Sequence, residues 1–392
     1  MNENPKINKV AIVAVGYNRP DAMARLLHSV ENAEYGNDSV DLIISIDKGE
    51  RRDEIEKVAQ RIDWKHGKKI IKKHEERMGL KKHILSCGDM TADYEAVVVL
   101  EDDLSVSRAF YTYVKAAIVQ YNGDARIAGI SLYSYQMLPY SSRRFIPDQN
   151  GYDAYLMQVA MSWGQCWTRK MWEDFKAWYT TNNGIIPNDG IIPEAVVNWG
   201  DKSWLKYYDR YVAECGKYFA MPYVALATDH TEIGEHAKAD STMFEVPLLN
   251  GLKEFRFPKF EEAVRYDAFF ERQDIDFANI MQVDGNVLVD LNGLKKCGGE
   301  YTYILSSATL PYKVVKQYGL VLRPIEENIV QEVPGESLFL YDTQIAEKPK
   351  KTSSIALDRY DLYDAEWRQA LRFSIWKMLQ MVKKLFFTEN KH

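Results

Sequence analysis

Three consecutive acids, Glu101, Asp102 and Asp103, follow directly on an apolar run in "EAVVVLEDDLSVS", residues 95–107. The unbroken run at 96–100 reads as a strand buried on both faces. Carboxylates held side by side repel one another, and each needs water, a hydrogen bond or a cation as compensation. Hard divalent cations such as Mg2+ and Mn2+ take carboxylate oxygens and share their remaining positions with substrate phosphates. An acidic cluster at a strand end therefore suits a nucleotide-diphosphate substrate, with the cation offsetting charge on a departing diphosphate. A solvated surface turn would carry the same triplet, so the surrounding elements decide between the two.

Those elements alternate. "KVAIVAVGYNRPDAMARLLHSV" gives an apolar strand at 9–15, a turn, and a helix from Asp21 in which Met23, Leu26, Leu27 and Val30 recur at helical spacing. A second strand at "DLIISID", a charged helix at "GERRDEIEKVAQRI", a short strand at "KKIIKKH", a helix at "GLKKHILSCGDM" and the strand "EAVVVLEDD" follow. This order predicts an α/β fold with a mostly parallel, Rossmann-like sheet, in which ligands bind at the carboxyl ends of the strands. Those ends carry Gly16, Tyr17, Asn18 and Arg19, then Asp47 and Lys48, then the acidic triplet. Three strand ends converging on polar groups predict a site.

A catalytic domain is expected over 1–250, with a helical connector at 251–284 built on a helix around 259–272. Short β-prone runs ("NVLVDL", "YTYILSS", "YGLVLRP", "SLFLYD") predict a small β-rich appendage at 285–343. A linker at 344–360 and a helix at 361–392 complete the chain. In that tail Trp367, Leu371, Ile375, Met378, Leu379, Val382, Leu385 and Phe386 project onto one broad face, with Arg372, Lys377, Lys383 and Lys384 mainly opposite. Such a basic amphipathic helix fits an anionic membrane surface, or equally the chain's own body or a second subunit.

Composition narrows the function. Fifty basic residues against 56 acidic give a net charge of −6, leaving no cationic excess for a phosphate backbone, so nucleic acid is excluded as the main partner. The four cysteines (Cys87, Cys166, Cys215, Cys297) form no CxxC pair, which suits reduced thiols rather than a disulfide framework or a zinc site. The N-terminus lacks the apolar stretch of a secretion signal and no segment reaches the length of a membrane span. A cytoplasmic location is the expectation.

Taken in order, "VAIVAVGYNRPDAMARLLHSV", "RMGLKKHILSC", "YEAVVVLEDDLSVSRAFYTYV", "SWGQCWTRKMWEDF", "NWGDKSW" and "ATDHTEIGEHA" span residues 8–240. The chain resembles nucleotide-sugar glycosyltransferases of the GT-A fold, in particular the group of N-acetylglucosaminyltransferase I and bacterial family 2-like enzymes of surface polysaccharide synthesis. The resemblance implies that Asp103 ligates Mn2+ or Mg2+, that Glu101 and Asp102 lie near the ribose and donor sugar, and that Asp47 contacts the base, commonly uracil. It puts Tyr17 and Arg19 in a wall of the nucleotide pocket and Lys81 and Lys82 along it, where either a phosphate contact or a solvated helix face is possible. Asp201, between Trp199 and Trp204, matches the family's catalytic base, although Gly200 stands where the family often has a first Asp. An N-cap role suits Asp201 as well, and Asp189 and Glu194 are its substitutes. His230 and His236 would lie near the diphosphate, His236 completing the metal shell. Gly164 lets backbone approach a ligand, and Trp163 and Trp167 either wall the donor or acceptor or fill the core.

The activity implied is inverting transfer of a hexosyl or N-acetylhexosaminyl group from a donor, commonly UDP-linked, to a saccharide or lipid-linked saccharide. Two rivals stand beside it. A sugar-1-phosphate nucleotidyltransferase would need a Gly-rich basic loop after the first strand, which "GYNRPD" lacks. A non-catalytic scaffold that binds sugar or nucleotide would have no need of the acids.

Overall fold

The computed structural model of the protein describes residues 9–141, 143–230, 242–296, 300–349, 355–362 and 366–388. Strand β1 (Val10–Gly16) is buried at every position, as its apolar sequence requires of a strand covered on both faces. Helix α1 (Pro20–Glu31) opens with Pro20, whose missing N–H has no partner to lose there, and buries Met23, Leu26, Leu27 and Val30. Then β2 (Val40–Ile46), α2 (Arg52–Arg61), β3 (Lys69–Lys73), α3 (Gly79–Gly88) and β4 (Ala96–Glu101) continue the alternation. Strand β1 lies between β2 and β4 and runs parallel to both. The chain thus builds outward to β3 on one side of β1 and returns to lay β4 on the other. Such a reversal opens a crevice beyond the carboxyl ends of the two strands that flank it. Val15 stands opposite Glu101 in the register, which sets the turn after Gly16 level with Asp102 and Asp103.

Beyond the crevice come β5 (Leu104–Val106), α4 (Phe110–Tyr121), β6 (Ile127–Ser131), β7 (Ala154–Met157), β8 (Gln165–Thr168), α5 (Arg169–Thr181), α6 (Glu194–Val197), α7 (Leu205–Glu214), β9 (Tyr218–Pro222), β10 (Ala227–Asp229) and β11 (Arg265–Tyr266). One nine-stranded sheet takes the order β11-β7-β9-β6-β8-β4-β1-β2-β3, with β8 antiparallel to both β4 and β6. The other two, β5 and β10, form a separate antiparallel pair directly after the acidic triplet. Trp167 is fully buried and stacks on Tyr208 at 5.7 Å, with Phe175 against the same ring at 4.0 Å. Of its two expected roles it therefore has the core one. Trp163, half-buried, packs against Tyr133 and Phe244.

Three expectations about elements are corrected. Residues 259–272 form no helix: a 3-10 turn at Phe260–Glu262 leads into β11, which pairs with β7 in the large sheet. The Asp267 carboxylate takes the amides of Phe269 and Glu271, and this local capture outcompetes helical bonding. The run "YGLVLRP" contributes only its first residue to a strand. The Asn328 side chain accepts from Val321 and Leu322 and donates to two carbonyls, holding that run as a turn. The expected linker is structured at both ends, by a strand reaching Ala346 and a helix from Ile355.

The chain divides into two compact units, 1–282 with 294–298, and 283–293 with 299–392. The first closes with α8 (Phe277–Ile280). In the second, β12 (Val287–Asp290), β13 (Tyr303–Ser306), β14 (Tyr312–Tyr318) and β15 (Leu338–Ala346) form a sheet ordered β12-β13-β15-β14. Helices α9 (Glu327–Val330), α10 (Ile355–Leu362) and α11 (Trp367–Thr388) accompany it. No described helix is long and apolar enough to cross a membrane.

Candidate functional site

The end of β4 and the turn after β1 meet through Arg19. Its guanidinium donates to Asp102 Oδ1 and, at 3.0 Å, to Asp103 Oδ2. The Tyr17 amide donates to Asp102 Oδ2 at 3.2 Å. Asp102 is 3% exposed, while Asp103 keeps part of its carboxylate open. The β5–β10 pair brings a fourth acid, Asp229, close enough to act on Glu101. His230 follows it, donating its amide to the Asp103 carbonyl at 2.8 Å, with its Nε2 2.8 Å from Ser105 Oγ.

Four carboxylates thus share one neighbourhood, two of them bound by the Arg19 guanidinium. Burial, then Asp103 and Asp102, push the Glu101 carboxyl well above its ordinary range, against the pull of Arg19. Burial also pushes Asp102 up, to about 6, although Arg19 draws it back. Burial works against the charge on Arg19, yet Asp102 and Asp103 hold it more firmly protonated than usual. Arg19 is the cation that the described geometry places directly on Asp102 and Asp103. A hard divalent cation suits such a place: Asp103 offers it one open carboxylate, and phosphate oxygens and water commonly supply the rest of the shell. Among the described residues no three carboxylate, imidazole or thiolate side chains already form a ligand set.

The remaining candidates divide. Asp47, at the end of β2, is 3% exposed. Its Oδ1 accepts from the amides of Lys48 and Met78 at 2.8 Å and its Oδ2 from Gly79 at 2.9 Å. The carboxylate clamps the start of α3, so the side chain expected to read a base is occupied by backbone. Tyr17 lies under Arg77, 4.6 Å from guanidinium to ring centroid, beside the Arg19 cluster. Lys81 places its ammonium 4.0 Å from the Tyr207 ring centroid, tying α3 to α7, and Lys82 is exposed.

Asp201 is fully exposed on the loop between α6 and α7. It does not cap the helix; Ser203 Oγ accepts from the Lys206 amide instead. Lys206, only 6% exposed, donates to the Trp199 carbonyl at 2.9 Å and lies 3.7 Å from Asp201, so a buried ammonium pins the loop from below. Of the substitutes, Asp189 is engaged by both nitrogens of Arg210 at 2.6 and 2.8 Å, and Glu194 lies 3.8 Å from Lys296. Gly164 has φ +89°, and a Cβ there would crowd Ala227 and Leu132, so this glycine is explained by packing beneath β10. His236 lies outside the described residues. Asp229 and the position of His230 against Asp103 were not separable from "ATDHTE" by sequence, because the β5–β10 pairing that brings them together links residues more than a hundred positions apart.

Residues 20–183 match the family described as "SPBC1E8.03c C-terminal domain". None of the curated proteins compared with the chain matches it. Similar solved structures include Staphylococcus aureus TarS 1–349 in complex with UDP-GlcNAc, at 13% identity and a TM-score of 0.39 over 59% of this chain and 61% of that one. GalNAc-T7 with UDP, GalNAc and Mn2+ is 14% identical, with a TM-score of 0.38 over 57% and 43% of the two chains. The mannosyltransferase PcManGT from Pyrobaculum calidifontis, in complex with GDP-Man and Mn2+, is 11% identical, with a TM-score of 0.33 over 55% and 56%. The match thus spans less than two thirds of each of these chains. Likenesses this distant say nothing of what the chain binds.

Proposed function

We propose that the chain is a metal-dependent glycosyltransferase of the GT-A type, moving a sugar from a nucleotide diphosphate, UDP-linked, to a saccharide acceptor in surface polysaccharide synthesis. The observation that supports this reading is the meeting of Glu101, Asp102, Asp103 and Asp229 with Arg19 at the crevice where strand order reverses between β1 and β4. A bound Mn2+ or Mg2+ would neutralise charge on the departing diphosphate. Asp103 is the ligand for it. Arg19 holds Asp102 and Asp103 in place, and the turn carrying Tyr17 walls the nucleotide. Asp201, exposed to solvent beside the buried Lys206 ammonium, takes the proton from the attacking hydroxyl as that hydroxyl's oxygen bonds the anomeric carbon. Attack on the face opposite the leaving diphosphate inverts the anomeric centre.

The test is release of nucleoside diphosphate from UDP-, GDP- and CDP-sugars with and without Mn2+. UDP release that needs the metal and vanishes in Asp103→Asn is expected. Asp201→Asn should lower kcat for transfer by about 100-fold or more while leaving donor KM unchanged. Unaltered transfer in Asp201→Asn would remove it as the base. A protein that binds nucleotide but turns over no donor would support the scaffold reading instead.

A further inference from the structure

The search leads away from the crevice, to α11. Every described side chain from Glu366 to Leu379 is exposed, including Trp367 at 66%, Phe373 at 57% and Trp376 at 53%. Large apolar groups in this number are rarely left in water without a partner. The helix sequence carries five basic residues and no acid, in a chain whose net charge is −6. The remaining chain is therefore −11 (−6 less +5), so the net charge of α11 is opposite in sign to that of the rest taken together.

Position round the helix sharpens this. Trp367, Leu371, Ile375, Met378 and Leu379 fall within one arc, with Arg368 inside it, Arg372 at its edge and Lys377 mainly opposite. Arg368 and Arg372 can extend to lipid phosphates while their stems lie along hydrocarbon. Phe373 and Trp376, which are not among the residues of that face, stack on each other at 5.7 Å. Lys377 lies 5.3 Å from the Phe373 ring, and Arg368 5.3 Å from Trp367. Aromatic rings beside cations suit the boundary between headgroups and acyl chains.

We infer that α11 is a docking helix for an anionic lipid surface, lying in the interface. Neither the short apolar window of α11 nor any other described helix allows a span. The inference is independent of the catalytic reading, since it rests on none of the crevice residues.

The experiment is sedimentation of the full chain with vesicles of phosphatidylcholine alone or with about one third phosphatidylglycerol. At about 0.1 M salt, binding at least about tenfold tighter to the anionic vesicles is expected, largely lost near 1 M. Arg372→Glu with Lys377→Glu should abolish the preference, and Leu371→Glu with Leu379→Glu should abolish binding. Circular dichroism and Tm serve to show that each variant remains folded. Equal binding to both vesicles, or none to either, overturns the inference. So does a shift from dimer to monomer in light scattering caused by Leu371→Glu with Leu379→Glu, which would assign the face to a second copy.

Discussion

Burial makes the folded chain hold the Asp102 proton more tightly than an ordinary carboxyl does. Its carboxyl, ordinarily near 3.8, is pushed up to about 6 in the folded chain, first by burial. A raised acid binds its proton more tightly folded than unfolded. The stability tied to that proton is complete below about pH 4 and is lost as pH rises through about 6. Glu101 shifts in the same direction for the same first cause. Without metal, the protein should therefore melt at a higher temperature near pH 5.5 than near pH 7.5, with the difference narrowed in Asp102→Asn. Added Mn2+ should raise Tm near pH 7.5 and do little in Asp103→Asn. Thermal scans at both pH values check this; a flat profile in the parent protein would mean that the cluster is better compensated than its geometry indicates. The acids themselves were legible in the sequence because three stand together after an apolar run. Their guanidinium partner was named only as part of a pocket wall, since Arg19 lies more than eighty residues away.

The elements of the first half were legible for a physical reason: strands β1, β2 and β4 are buried on both faces, and α1 on one, so their periods are clean. Legibility failed where single polar side chains govern the backbone, as Asp267 does at 267–271 and Asn328 at 321–325. Asp47 is the same kind of residue inside the site. Asp47→Ala strips three buried or half-buried amides of their acceptor, for a cost of about 1–3 kcal/mol. Denaturant unfolding measures that loss, and hydrogen exchange should show faster exchange at the start of α3. A variant with parent stability and parent exchange would return Asp47 to the role of a base contact with little structural duty.

Across the whole molecule, the two units do not divide at one point in the chain. Residues 294–298 belong to the first, where Lys295 lies 2.5 Å from the largely buried Asp267 and Leu294 packs against the core. Breaking one half of such a pair leaves the other charge uncompensated. Lys295→Met should therefore destabilise the first unit by about 3 kcal/mol, read as a lower denaturation midpoint; an unchanged midpoint would show that the backbone amides of Phe269 and Glu271 suffice for Asp267. The large sheet carries β1 and β4 to the crevice and the separate β5–β10 pair follows the acidic triplet there, and the account stands on what that crevice holds. The most direct measurement is calorimetric titration of the protein with UDP, GDP and CDP, with and without Mn2+, beside Asp103→Ala. UDP binding that requires Mn2+ and disappears in the variant is the predicted result. Binding of no nucleotide under either condition, or binding indifferent to Mn2+ and to Asp103, would contradict it.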